Sequence, residues 1–116
     1  MELGKLGEEE AERFLRLRGY RILGKNVRMK RYEIDLIVMK EDTIVFVEVK
    51  TRTKEEFAKG YESVNHAKQA RIRKAATLYL MQSRLPLLEV RFDVISVGYN
   101  SMGESPANIL HFKNAF

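Results

Sequence analysis

Two runs, residues 32–39 (YEIDLIVM) and 43–51 (TIVFVEVKT), are separated only by Lys40, Glu41 and Asp42. Both are rich in β-branched and aromatic residues, so they read as the arms of a hairpin. Side chains alternate across a strand. In the first arm Ile34, Leu36 and Val38 share one face, and Glu33, Asp35, Ile37 and Met39 the other. In the second, Val45, Val47 and Val49 share one face, and Ile44, Phe46, Glu48 and Lys50 the other. A turn on Glu41 and Asp42 pairs Lys40 with Thr43 and makes the two apolar faces coincide. A three-residue loop without a bulge would set apolar residues against polar ones. The favoured register places Asp35 opposite Glu48 and Glu33 opposite Lys50.

Directly opposed side chains have Cβ atoms about 4.5–5.5 Å apart, and like charges there are unfavourable. The same face carries Ile37, Met39, Ile44 and Phe46 near the turn, so it is expected to be covered. Its charged end then needs partners. A divalent cation would turn the repulsion of Asp35 and Glu48 into coordination. The plainer alternative is an ion-paired patch in which Lys50 neutralises Glu33 or Glu48. The residue pattern alone leaves both open.

The rest of the chain supplies a frame for that hairpin. Residues 4–18 have helical spacing of Gly7, Ala11, Phe14 and Leu15, ending at Gly19. Glu9 with Arg13 and Glu12 with Arg16 form i,i+4 pairs on the wet side. Glu8 lies on the side of Ala11 and Leu15, toward the core. Tyr20 to Val27 reads as a first strand and residues 52–63 as a loop. Residues 65–83 read as a second helix with Asn65 as N-cap and Ile72, Ala75, Ala76, Tyr79 and Leu80 as its buried stripe. Pro86 ends it. Val90 to Val97 is a strand, residues 98–106 a loop, and Asn108 to Phe112 a last strand. The fold class is α/β, in the order α-β-β-β-α-β-β, with helices against a mixed sheet. At 116 residues and 45% hydrophobic content, one domain spanning residues 1–116 is expected.

Composition narrows the chemistry. Cysteine is absent and there are two histidines, so thiolate sites and a histidine zinc cage are excluded. A metal would be held by oxygens, which favours Mg²⁺ or Mn²⁺. The net charge of +5 favours a polyanionic partner. No segment is long and apolar enough for a bilayer, and the acidic start is unlike a signal peptide, so no membrane and a cytoplasmic location are expected.

Asp35 followed by Glu48-Val49-Lys50 resembles the PD-(D/E)xK signature of restriction endonuclease-like nucleases. Beyond it, the chain resembles the YraN-like family of uncharacterised bacterial proteins, which is similar to archaeal Holliday junction resolvases. The matching residues are Gly4, Gly7-Glu8, Ala11, Gly19-Tyr20, Asn26, Arg28, Glu33 to Ile37 and Val45 to Arg52. They continue through Val64, Lys68, Arg71, Tyr79-Leu80, Arg91 to Val94 and Asn114 to Phe116. The chain departs from that pattern at Tyr32, where the family usually has Gly, and at Ala58 after Phe57, again usually Gly.

The resemblance implies a restriction endonuclease-like fold and a metal-dependent endonuclease acting on nucleic acid, with branched DNA as one substrate and a homodimer as one assembly. Asp35, Glu48 and Lys50 would be catalytic. Asp35, Glu48, the Val49 carbonyl and Glu8 would hold Mg²⁺ or Mn²⁺, and Lys50 would orient water or stabilise the developing charge. Arg28, Lys30, Arg31, Arg52, Lys68 and Arg71 would meet phosphates. Glu33 is a weaker candidate, as a partner for Lys50. His111, on an apolar strand, reads as structural. The alternative is a non-catalytic nucleic-acid-binding or adaptor protein that keeps the fold. DNA or RNA is left open.

Overall fold

The computed structural model describes residues 3–57, 64–86, 89–99 and 108–116. The elements are α1 (Leu3–Leu17), β1 (Arg21–Met29), β2 (Tyr32–Lys40), β3 (Thr43–Thr53), α2 (Lys54–Phe57), α3 (His66–Ser83), β4 (Glu89–Tyr99) and β5 (Asn108–Phe112). The strands form one mixed sheet in the order β1-β2-β3-β4-β5, with β3 and β4 parallel and every other pair antiparallel. The expected α/β class and element order hold, with the one-turn α2 added where a loop was expected. Most of the loop expected over 98–106 lies outside the described residues, but Gly98 and Tyr99 continue β4. Among the described residues no helix is long and apolar enough to cross a membrane.

Helix α1 buries Gly7, Ala11 and Leu15, four residues apart, against one face of the sheet. Gly19, at φ 89°, releases the chain into β1. Glu12 pairs with Arg16 as its spacing requires, but Arg13 reaches Glu10 rather than Glu9, choosing i,i+3 over i,i+4. Both neighbours are within reach on a helix surface, and the choice costs a few tenths of a kcal/mol. In α3, Asn65 caps by accepting the Lys68 N–H at 2.8 Å, and Arg84 ends the helix at φ 52° just before Pro86. Ile72, Ala75 and Ala76 are buried, while Tyr79 and Leu80 are half-buried. Small alanines let α3 approach the sheet closely.

The sheet separates two apolar layers. Leu36, Val38, Val45, Val47, Ile95 and Val97 pack with Ala11 and Leu15 of α1. Ile34, Ile37, Ile44 and Phe46 pack with Ala75 and Ala76 of α3. Each fully buried aliphatic or phenyl group contributes about 1.5–3 kcal/mol. The β2–β3 register is the expected one, from Lys40↔Thr43 to Leu36↔Val47. The expected face of Ile34 is corrected: it lies on the α3 side while Leu36 lies on the α1 side. Residues two apart on a regular strand share a face, so the alternation of β2 breaks at Asp35.

Asp93 of β4 is wholly buried and fully partnered. Its oxygens accept from Arg91 Nε and Nη2 at 2.9 Å, from the Asn114 N–H at 3.1 Å, and meet His111 Nε2 at 2.7 Å. Arg91 also donates to the Tyr20 hydroxyl at 2.7 Å. Burial raises the Asp93 carboxyl's pKa, yet His111, Arg91 and the Asn114 N–H together hold it below its ordinary value. The cluster ties β4, β5, the chain end and the α1–β1 corner together. That is the structural role expected for His111.

Candidate metal and nucleic-acid site

The β2–β3 ladder ends at Leu36↔Val47, although β2 stays paired with β1 as far as Tyr32. Beyond Leu36 the edge of β3 lacks its backbone partner. The Asp35 carboxylate takes that place, its Oδ2 accepting the Val49 N–H at 2.8 Å. Asp35 therefore reaches Glu48 from within the plane of the sheet, and not as the opposed cross-strand pair that regular alternation predicts. A strand residue presents its N–H and C=O to the same neighbouring strand, so the Val49 carbonyl borders the same gap.

A backbone irregularity on β1 accompanies this. Asn26, at φ 48°, lies between the pairs Lys25↔Leu36 and Val27↔Ile34 and so falls across from Asp35. Lys25 pairs with Glu12 on the α1 side, whereas Val27 packs on the α3 side. Left-handed backbone is tolerated by asparagine better than by most residues. Asn26 was matched in sequence but given no place in the site. The signal was an asparagine inside a strand.

Glu48, on the α3 face of β3, is 6% exposed. Burial first, then the charge of Glu48, push Asp35 up to about 7, against the opposing pull of the Val49 N–H and Lys68. Two carboxyl groups share one partly dry site and resist being ionised together. Lys68, in the first turn of α3, supplies one counter-charge: its Nζ lies 3.1 Å from Glu48 Oε1. The Asn65 cap and the Gln69 amide, which donates to the Val64 carbonyl at 2.7 Å, hold that turn in place. The sequence pointed Lys68 at phosphate. Its pairing with Glu48 was missed because it depends on how the α3 N-terminus crosses β3.

Glu8 approaches Asp35, but not Glu48, from α1. There Gly7 rests directly on Thr51 of β3, and a Cβ at Gly7 would collide with the Thr51 hydroxyl. Burial, then Asp35 and Glu33, raise the Glu8 pKa, while the Asn26 amide and Lys5 lower it. Glu8 thus feels Asp35. Among the described residues, however, no three His, Cys, Asp or Glu side chains converge as a metal cage.

Lys50 shares the face of Glu48 two residues on and registers with the buried Ser96 of β4. It makes no ion pair with another described residue. The expected pairing of Glu33 with Lys50 is corrected, since β2 has left β3 by that point and Glu33 lies exposed opposite Arg28 on β1. Lys30 and Arg31 form the exposed β1–β2 turn, and Arg28 Nε donates to the Lys30 carbonyl at 3.2 Å. Arg52 is half-buried just beyond Lys50, and Arg71 is exposed on α3.

The description "Uncharacterised protein family UPF0102" matches residues 7–97. A UPF0102 protein of Dictyoglomus turgidum is 42% identical over 115 residues, covering 99% of this chain and 97% of the relative. Similar proteins occur in Alkaliphilus oremlandii, 43% identical over 117 residues with 99% and 97% covered, and in Persephonella marina, 42% over 113 residues with 97% and 91% covered. With a match over most of its length and relatives of its own size, the chain belongs to the uncharacterised protein family UPF0102.

Proposed function

We propose that the chain is a metal-dependent nuclease that hydrolyses phosphodiester bonds of nucleic acid at Asp35, Glu48 and Lys50. The observation that carries this reading is the Asp35 carboxyl group in the gap between β2 and β3 beside the buried Glu48, with Asp35 pushed up to about 7. Two acids pressed together out of water oppose folding, and a bound cation would offset that cost.

The donor set suits a hard cation. Mg²⁺ needs only one or two carboxylates from a protein and takes its remaining ligands from water and phosphate. Asp35 and Glu48 would hold it, with the Val49 carbonyl at the gap's edge and Glu8 beside. A third carboxylate is not required, so the reading does not depend on Glu8. When bound, the cation would supply positive charge to the scissile phosphate and acidity to the attacking water. Lys50, without an ion-pair partner among the described residues, is free to donate to a phosphate oxygen as negative charge develops there. The excess of basic residues would attract the polyanion.

The second reading, a non-catalytic nucleic-acid-binding protein, is favoured by the Lys68–Glu48 pair, which neutralises one acid with no metal. A cleavage panel of branched, duplex and single-stranded DNA and RNA, with and without Mg²⁺ or Mn²⁺, separates the two. Metal-dependent cleavage lost in Glu48→Gln supports the nuclease. Binding without cleavage of any substrate supports the second reading.

A further inference from the structure

A groove of about 450 Å³ lies between the β1–β2 turn and α3, lined by Lys30, Arg31, Tyr32, Lys74 and Leu78. Its floor is the Tyr32 ring and Leu78, both half-buried, and its rim carries three exposed cations. Arg31 donates to the Tyr32 hydroxyl across a long 3.5 Å, with its guanidinium 5.5 Å from the ring centroid. Arg31 chiefly, and then Lys74 and Lys30, draw the hydroxyl's pKa below its ordinary value. The turn is also strained: Lys30 sits at φ 58°, where Gly or Asn would be easier. That geometry is what a two-residue hairpin turn uses, and it fixes Lys30 and Arg31 at the groove's rim.

Two independent rulers connect the groove to the carboxyl pair. Along β2, Tyr32 is three residues from Asp35, about 10 Å. Along α3, Lys74 is six residues from Lys68, about 9 Å. Lys68, Arg71, Lys74 and Leu78 follow one another at steps of three, three and four, so they form one stripe of the helix. Basic side chains therefore run from Glu48 to the groove. A nucleotide or two of extended backbone covers that distance.

We propose that this groove is a subsite for an unpaired nucleotide of the strand whose phosphate lies at Asp35 and Glu48. The base stacks on Tyr32 against Leu78, and its phosphates follow Lys68, Arg71 and Lys74. The subsite rests on the nuclease reading for its position and refines it by substrate class: nucleic acid with a single-stranded arm beside the cut. An intact duplex keeps its bases stacked and cannot fill the groove, whereas an unpaired base has a free face for an aromatic ring.

The test uses the whole chain, in EDTA, with DNA carrying 2-aminopurine either in a short unpaired arm or within intact duplex. Binding should quench the probe in the arm and leave the duplex probe unchanged. Tyr32→Leu should abolish the quench and weaken arm binding about tenfold, while Tyr32→Phe keeps both. Lys74→Gln, at an exposed position, should lower the salt slope by about one without disturbing the fold. Equal affinity for duplex and armed DNA, a quench unchanged by Tyr32→Leu, or a salt slope unchanged by Lys74→Gln overturns the subsite. Because no metal is present, a quench without cleavage in the earlier panel rejects only the nuclease. Cleavage indifferent to an arm rejects only the subsite.

Discussion

The Asp35 carboxyl group occupies the place of a β-ladder partner, accepting the Val49 N–H at 2.8 Å where β2 has parted from β3. One hydrogen bond to the ionised form is not enough to keep it acidic beside Glu48. Desolvation and the neighbouring charge prevail and push the group from its ordinary acidic value up to about 7.

A pH dependence follows. The folded chain holds a proton on Asp35 between about pH 4 and 7 that the unfolded chain has released, so stability falls as pH rises through that window. Asp93 has the opposite sign: its pKa is depressed, and its contribution is lost only as pH falls below the ordinary range. Metal-free protein should therefore melt a few degrees higher at pH 5 than at pH 7.5, and Asp35→Asn should flatten that difference. Melting curves at the two pH values check this. An unchanged slope in Asp35→Asn would show that another group is responsible.

Lys68 offers a second handle. Its side chain is 41% exposed and pairs with a Glu48 side chain only 7% exposed. Losing a partner leaves a buried carboxylate uncompensated, but solvent around the ammonium softens the loss. Lys68→Met is expected to cost about 1 kcal/mol in metal-free protein. Its response to Mn²⁺ should grow, because the cation no longer competes with an ammonium at Glu48. A mutant whose metal response shrinks would mean that Lys68 helps rather than opposes the cation.

The hairpin register was legible because binary patterning on two strands allows one alignment, and the Asn65 cap because its chemistry is local. Asp35 and Glu48 were correctly brought together on those grounds. The way they meet was not legible. Regular alternation cannot foretell that Ile34 and Leu36 face opposite sides, or that Asn26 turns left-handed across from them. The partner of Lys68 was hidden for another reason: it depends on the angle at which α3 crosses β3, which packing sets and spacing does not. Helix α2 escaped because KEEF is too short to show a period. A local cap and a tertiary contact hold it: Thr53 and Glu56 bond reciprocally across its first turn, a Thr-x-x-Glu signal the reading passed over, and Phe57 lies on Gly98 where a Cβ would collide with the ring.

Gly7 tests how closely α1 must approach. Replacing an exposed helical glycine by alanine gains up to about 1 kcal/mol from propensity alone. Gly4→Ala, where a Cβ meets nothing, should show part of that gain. Gly7→Ala drives a methyl into Thr51 and should instead lose about 1–3 kcal/mol. Adding Thr51→Ala should recover much of the loss. If the double mutant melts no higher than Gly7→Ala, the collision with Thr51 is not the cause.

Lys50 and Asp35 divide the proposed chemistry between them, and two readouts on the same proteins can tell their roles apart. Asp35 would belong to the cation's ground-state ligands, so Asp35→Asn should shrink the rise in melting temperature on adding Mn²⁺, which reports binding to the folded state by mass action. It should lower cleavage as well. Lys50 would act only where charge develops on phosphate. Lys50→Ala should keep the full metal response and lose cleavage by about 10²–10³-fold, the scale of one preorganised donor. The measurements are melting curves with and without Mn²⁺ and initial cleavage rates for wild type and both variants. Equal metal responses in all three would remove Asp35 from the ligand set. A cleavage rate unaffected by Lys50→Ala would remove Lys50 from the reaction and leave the buried carboxyl pair without its electrophilic partner.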